Sequence, residues 1–274
     1  MPPSRIRHVR LIDSQDKAYQ QFCNDRKAEH QRLREKQAPS ASNQLSLLIE
    51  QSVLHWLKTE IPLIQERILS FQCQDGLYGY RQKYREVDAI SGTINQPEYF
   101  FEIKASANPR RVIPLAQAQL QESLSIAAYR WSSIRPCLIY VDTAPSGMLP
   151  DAEYQLSSVH SCSNIADLLN YSGDRLPCIQ LSGVEVWQQA LEANLIAEYS
   201  LWERAQAELK QNILERQERA RVKAMGVADT ASTSRELAVH VSKAPHVFCS
   251  PAIQGETVLG AALRQAIQRS SSVG

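Results

Sequence analysis

The sequence predicts an α/β fold, a central mixed β-sheet with helices on both faces. Apolar residues recur at helical spacing over residues 42–57 and 114–129. Between these segments, and again over 136–141, lie short apolar runs bounded by turn-forming residues, as in buried strands. With 274 residues, of which 43% are hydrophobic, the chain can bury one large core. We therefore expect one α/β domain with appendages.

The order of these elements is helix, strand, hairpin, helix, strand. The first helix has serine or asparagine available as its cap and is followed by Pro62. The hairpin is indicated by two apolar runs joined by a segment rich in turn formers, residues 91–97. The predicted elements are a helix over 42–57, strands over 67–74, 83–92 and 99–104, a helix over 114–129 and a strand over 136–141.

Composition divides the chain into four segments. Residues 1–40 are polar and charged, and we expect a helical N-terminal arm. Residues 41–200 should form the α/β domain. A long helix should begin after Gly183, and residues 201–225 form its charged end. Residues 226–274 are rich in small polar residues and are expected to be a flexible, low-order tail.

Charge and composition exclude several classes of protein. The net charge is +1, with 30 basic and 29 acidic residues, so nucleic-acid binding would depend on local basic patches. No apolar run is long enough to cross a membrane and no signal sequence is evident, so we expect a cytoplasmic protein. The six cysteines form no Cys-x-x-Cys pair, which argues against a zinc ribbon. The absence of a glycine-rich phosphate loop argues against an ATPase or kinase.

The chemically informative residues lie on the predicted hairpin. Asp88 is on the first strand, and Glu102 and Lys104 share one face of the second. If the strands pair antiparallel, Asp88 lies near Glu102. The two carboxylates, with the carbonyl of Ile103, can supply the oxygen ligands that Mg²⁺ prefers, while Lys104 positions a water or stabilises phosphorane charge. This combination favours metal-dependent hydrolysis, above all of a phosphodiester.

The pattern resembles the PD-(D/E)xK nuclease superfamily, which includes restriction endonucleases and Holliday-junction resolvases. The resemblance covers roughly residues 41–142 and matches at Asp88, Glu102 and Lys104, although Val87 stands in place of the proline. It implies a restriction-endonuclease-like core, Mg²⁺ as the cofactor with Mn²⁺ able to replace it, and DNA as the substrate. DNA repair, restriction or phage defence, and mobile-element processing all fit such a nuclease.

The resemblance also draws attention to accessory positions. Many members carry a glutamate on the first helix that completes the metal site, and Glu50 matches it; the other interpretation is an exposed helix charge. Gln117 and Gln121 share one face of the helix after Lys104. The glutamine–tyrosine pair of RecB-type members is absent there, so these glutamines either contact substrate or are solvated.

Four basic residues are candidates for DNA contacts. Arg110 and Arg111 are expected in a loop just past Lys104, and Lys83 and Arg85 lie on the strand leading to Asp88. Such positions suit contacts with backbone phosphates, which set affinity rather than sequence preference. The alternative interpretation is ordinary surface charge.

Two other classes of function fit the same sequence. One is a non-catalytic nucleic-acid-binding or assembly subunit on the same fold. The other is an interaction protein built around the long helix, with Asp88 and Lys104 as solvated charges on a half-buried hairpin. In each case the long helix could hold a protein partner or a second copy of the chain.

Overall fold

The computed structural model describes residues 6–33, 39–75, 79–145, 158–195 and 200–224. The strands are β1 (Ile6–Ile12), β2 (Ile68–Asp75), β3 (Gly79–Glu86), β4 (Ala89–Gly92), β5 (Pro97–Ser106), β6 (Arg135–Asp142), β7 (Val159–Cys162) and β8 (Leu176–Ser182). The helices are α1 (Lys17–Leu33), α2 (Ala41–Glu60), α3 (Pro109–Ala127), α4 (Ile165–Asn170), α5 (Gly183–Glu192) and α6 (Ser200–Ala224). The predicted mixed α/β architecture is confirmed.

The strands form two sheets rather than the single sheet that the sequence predicted. The larger sheet has the order β4-β5-β6-β8-β7, in which β4 is antiparallel to β5 and the other neighbours are parallel. The smaller sheet, β1-β2-β3, is antiparallel. The predicted strand over 67–74 therefore exists as β2, but it belongs to the smaller sheet.

Helix α2 packs its apolar stripe against the larger sheet. The Ser40 side chain caps its first turn by accepting a hydrogen bond from the backbone N–H of Asn43. Leu45, Ile49 and Trp56 are fully buried in the same cluster as apolar side chains of β5. Burial of this stripe fixes the rotation of α2 about its axis, and thereby the direction in which Glu50 points.

Helix α3 covers the opposite face of the sheet and begins earlier than predicted. Asn108 caps it by accepting a hydrogen bond from the N–H of Arg111, and Pro109 occupies the first turn, where no intrahelical donor is needed. Pro114, the predicted start, lies inside the helix. Arg110 and Arg111 therefore belong to the first turn of α3 and not to a loop.

The predicted strand over 83–92 is interrupted at Val87 and Asp88. Its first part, β3, pairs with β2, whereas its second part, β4, pairs with β5 in the other sheet. The backbone N–H of Val87 bonds to the carbonyl of Arg67 before the chain changes sheets. Asp88 thus lies at a junction between two sheets, which a continuous run of strand-forming residues does not reveal.

The hairpin of β4 and β5 is present as predicted. Gly92 closes it with a backbone φ of +99°, a conformation that favours glycine. A Cβ at this position would lie 2.6 Å from the carbonyl oxygen of Gln96, so the turn leaves no room for a side chain.

The N-terminal arm contains a strand that the sequence did not indicate. Strand β1 pairs with β2, with a register shift between Arg7 and Arg10, and His8 has a positive φ of 56°. This irregularity disturbs the alternation of apolar residues by which a strand is recognised. The expected helix is present as α1, with Tyr19 and Cys23 buried.

The long C-terminal helix is not continuous. Helix α5 ends at Glu192, and Asn194 adopts a positive φ of 54°, which is incompatible with continuing the helix. A second helix, α6, starts at Ser200 and runs to Ala224. The predicted tail over 226–274 lies outside the described residues. No helix in the described part of the chain has the length and apolarity needed to span a membrane.

Candidate functional site

The candidate site lies where β5 loses its neighbouring strand. Pairing between β4 and β5 includes Ala89 opposite Phe101, and beyond it β5 continues without β4. Two carboxylates bind backbone N–H groups of β5 that β4 no longer pairs with. Asp88 Oδ2 accepts a hydrogen bond from the Ile103 N–H at 2.8 Å, and Glu50 Oε1 accepts one from the Ala105 N–H at 3.0 Å. The edge of β5 thus draws together carboxylates from a sheet junction and from α2.

Lys104 lies on the face of β5 opposite to α2, together with Glu102, and contacts two of the carboxylates. Its Nζ lies 2.6 Å from Oε1 of Glu102 and 3.7 Å from Oδ2 of Asp88. The Lys104 side chain is 19% exposed, whereas that of Glu102 is 7% exposed. The structure therefore brings together Asp88, Glu102, Lys104 and Glu50, and their arrangement differs from that of solvated charges on an open hairpin.

Burial perturbs the proton equilibria of this cluster. It raises the pKa of Glu50 to about 7, an effect that Lys104 partly opposes. Burial and the charge of Asp88 raise the pKa of Glu102 to about 7, again against the effect of Lys104. Burial favours a lower pKa for Lys104, but the carboxylates of Asp88, Glu102 and Glu50 outweigh it and raise the pKa above the ordinary value. Lys104 therefore remains an ammonium ion at neutral pH.

Arg67 fixes the backbone at the sheet junction. Its Nη1 donates to the carbonyl of Asp88 at 3.2 Å, and its Nη2 lies 2.8 Å from Oε1 of Glu86. Tyr19 of α1 donates to the other oxygen of Glu86 at 3.4 Å. Because Arg67 contacts both ends of the interruption, it holds the Asp88 carboxylate against β5. The sequence contains no signal for this role, since the contact spans 21 residues.

The cluster opens into a cavity of about 500 Å³ between α2, β3 and α3. Asn43 and Glu50 line it from α2, and Gln119 lines it from α3. The Gln119 Oε1 atom is buried and has no hydrogen-bond partner in the described part of the chain. Because its side chain lines the cavity, Gln119 is a candidate contact that the sequence interpretation did not include.

The predicted DNA-contacting residues have different environments. Lys83, Arg110 and Arg111 are exposed. Arg85 is buried, because its guanidinium pairs with Glu122 of α3 at 3.2 Å and donates to two oxygens of the same helix. Arg85 is therefore not an ordinary surface charge: it joins β3 to α3 and lines the cavity, and its contact with DNA stays a prediction.

The predicted accessory glutamines do not line the cavity of Asp88. Gln117 and Gln121 face a second cavity, of about 610 Å³, near the amino ends of β6 and β8. Gln117 Nε2 donates to the carbonyl of Ser158 at 3.0 Å. They lie on a different side of α3 from Gln119, so the structure gives no support for a contact with a substrate bound at Asp88.

The oxygen ligands of this cluster suit a hard divalent cation, although in this structure the Lys104 ammonium pairs with Asp88 and Glu102. Asp88, Glu102 and Glu50 offer oxygen atoms, and the Ile103 carbonyl lies on the strand edge beside Asp88. Burial raises the pKa values of Glu50 and Glu102, so a cation in addition to Lys104 would stabilise their ionised forms. Among the described residues, no three His, Cys, Asp or Glu side chains are spaced to hold a metal. The cluster therefore fits a divalent cation in the type of its ligands, and Lys104 contacts one of those ligands, Glu102.

No family model, curated protein or solved structure matches the chain. Its functional interpretation therefore depends on its own residues.

Proposed function

We propose that this chain is a metal-dependent nuclease that hydrolyses phosphodiester bonds of DNA. The observation that carries the proposal is the convergence of Asp88, Glu102 and Lys104 at the interrupted edge of β5. Two carboxylates and a permanently charged lysine beside an open cavity are suited to a reaction in which negative charge develops on phosphate oxygens. Burial of Glu102 argues against the interpretation of the cluster as an ordinary solvated charge pair.

Asp88 and Glu102, with the Ile103 carbonyl and with Glu50 as a further carboxylate, would hold Mg²⁺, or Mn²⁺ in its place. When bound, such an ion polarises the phosphate and lowers the pKa of a coordinated water. The chain's own contribution is to fix the ligands: the Ile103 N–H holds Asp88, and the Ala105 N–H holds Glu50. Arg67 in turn holds the backbone of Asp88.

Lys104 is suited to electrostatic stabilisation rather than to removing a proton. Its raised pKa keeps it charged, so it can donate hydrogen bonds to the attacking water or to a phosphate oxygen. In the hydrolysis, the water oxygen forms a bond to phosphorus and the bond from phosphorus to one ester oxygen breaks. The water gives up a proton and the leaving oxygen gains one.

The arrangement of elements also supports a restriction-endonuclease-like core. Helix α2 precedes two antiparallel strand pairs, β2 with β3 in the smaller sheet and β4 with β5 in the larger one; helix α3 and the parallel strand β6 follow. This order supports the resemblance at Asp88, Glu102 and Lys104, and in such a core Glu50 would lie on the first helix.

The test is cleavage of labelled linear, circular and branched DNA with Mg²⁺, Mn²⁺ or EDTA. Wild type is compared with Asp88→Asn and Glu102→Gln, which keep the side-chain shape and remove the ligand charge. We expect metal-dependent cutting that both substitutions abolish, and the preferred DNA form would define the role. Cutting that survives EDTA or either substitution would contradict the proposal. Binding without cutting would favour a non-catalytic DNA-binding subunit.

A further inference from the structure

Arg85 is a buried cation in the wall of the cavity that contains Asp88 and Lys104. It lies at the end of β3, is 8% exposed and lines this cavity. A buried guanidinium needs hydrogen-bond partners, because an isolated charge is costly to remove from water. Its burial beside the carboxylates distinguishes Arg85 from the exposed Lys83 of the same strand.

Helix α3 holds the Arg85 guanidinium in one orientation. Its Nε donates to Oγ of Ser123 at 3.2 Å, and its Nη2 donates to the carbonyl of Gln119 at 3.1 Å. Its Nη1 lies 3.2 Å from Oε2 of Glu122. Because one helix contacts all three nitrogen atoms, the guanidinium is preorganised and loses little conformational entropy when it binds an anion.

These contacts leave part of the guanidinium available to a ligand. A guanidinium has five N–H groups, and the contacts with Ser123, Gln119 and Glu122 use three of them. One N–H remains on each Nη atom, and within the described residues Arg85 makes no further hydrogen bond. Two neighbouring N–H groups of this kind suit phosphate oxygens, which the fork of arginine can contact in pairs.

Arg85 differs from the other cations that line the cavity in the position of its partner. Arg67 and Lys104 pair with carboxylates that themselves line the cavity. Glu122, the partner of Arg85, does not line it, and its side chain is 55% exposed. Solvent therefore weakens the attraction between Arg85 and Glu122. The charge of Arg85 also acts inside the cavity: burial above all raises the pKa of Glu102, and Arg85 is among the charges that oppose this rise.

We propose that Arg85 is a catalytic residue that donates its two remaining N–H groups to the non-bridging oxygens of the scissile phosphate, an inference that rests on the proposed nuclease function. In the transition state, while the water oxygen bonds to phosphorus and the ester bond breaks, these oxygens carry the negative charge. Donors that are fixed beforehand stabilise this charge without reorganisation. Arg85 keeps all its protons throughout, and its contribution differs from that of a surface contact, which sets affinity alone.

The experiment separates the rate of cleavage from DNA affinity in the full chain. Arg85→Lys keeps the positive charge but removes the planar fork. Its single-turnover rate at saturating protein and Mg²⁺ should be about 10²-fold below that of wild type, as on removal of one preorganised donor. Its DNA affinity in EDTA, measured by fluorescence anisotropy, should equal that of wild type, because without a metal ion the carboxylates repel the scissile phosphate. Arg81→Lys, the same substitution at an exposed position of β3, is the matched control and should leave both values unchanged.

Glu122→Gln tests whether Arg85 acts only by joining β3 to α3. It removes the charge of the partner and keeps the guanidinium, so its cleavage rate should be no lower than that of wild type, and it tests the inference even if Arg85→Lys does not fold. A Glu122→Gln rate about 10²-fold below wild type overturns the inference. So does an Arg85→Lys variant that cuts at the wild-type rate, whether or not its DNA affinity is reduced. A wild-type chain that cuts no DNA in Mg²⁺ or Mn²⁺ instead refutes the proposed nuclease function itself.

Discussion

Replacing Lys104 with methionine should destabilise the metal-free protein strongly at pH 9 and weakly at pH 5. Methionine keeps an unbranched stem but removes the ammonium that lies 2.6 Å from Glu102. At this distance the attraction between unit charges is about 6 kcal/mol for an effective dielectric constant of 20, before the cost of desolvation is subtracted. Removing one partner of a buried pair typically costs about 3–5 kcal/mol, because the other charge is left buried without compensation.

The pH dependence follows from the pKa of Glu102, which is raised to about 7. At pH 9 Glu102 is ionised and needs Lys104, so we expect the full cost of about 3–5 kcal/mol. At pH 5 Glu102 is already protonated in the wild type. Lys104 then pairs mainly with Asp88, whose side chain is 34% exposed, and such a pair contributes about 1 kcal/mol or less.

The assay is urea unfolding of wild type and Lys104→Met in EDTA at both pH values. Lys58→Met, at an exposed position of α2, serves as the control and should cost under about 1 kcal/mol throughout. A cost for Lys104→Met of about 1 kcal/mol or less at both pH values would show that Lys104 and Glu102 are ordinary surface charges, and would refute the description of a buried cluster.

Two further predictions concern the residues around this pair. Burial raises the pKa of Glu50 from 4.5 to about 7. Between these pH values Glu50 loses its proton in the unfolded chain but keeps it in the folded protein, so the free energy of unfolding of the metal-free protein should fall as pH rises from about 4.5 to 7. Glu50→Gln can still accept the hydrogen bond from the Ala105 N–H, and it should reduce this fall by about 2–3 kcal/mol. Urea unfolding across the same pH range measures the effect, and an unchanged pH profile would show that Glu50 does not titrate with a raised pKa. Arg67→Met should release the backbone of Asp88 and raise the metal concentration needed for half-maximal cleavage about tenfold. Arg130→Met breaks a similar bond, from Arg130 to the Val9 carbonyl, and should leave the metal requirement as in wild type.

The sequence predicted the elements whose signals are local. The apolar stripe of α2, the turn around Gly92 and the apolar run of β6 each report their own conformation through periodicity or turn chemistry. The alternation of side chains along β5 likewise placed Glu102 and Lys104 on one face. The turn formers at residues 91–97 predicted that the two strands pair antiparallel, and this pairing predicted that Asp88 lies near Glu102.

Features that depend on distant contacts could not be predicted in this way. The change of sheet at Asp88 depends on Arg67, and the burial of Arg85 depends on Glu122 and Ser123 of α3. Strand β1 is stabilised by pairing with β2, more than fifty residues later, which overrides a local pattern disturbed at His8. The end of α5 just before Asn194, which has a positive φ of 54°, could not be predicted either, because the apolar pattern of the sequence continues at helical spacing.

The single-turnover rate of DNA cleavage at saturating Mg²⁺, compared between wild type and Lys104→Met, tests whether the cluster beside β5 hydrolyses DNA. We expect cleavage by the wild type that stops in EDTA, and a rate for the variant about 10²–10³-fold lower, because a preorganised charge is removed from the transition state. A wild-type chain that leaves linear, circular and branched DNA intact in Mg²⁺ and Mn²⁺, or a variant that cuts at the wild-type rate, would refute the proposed nuclease function.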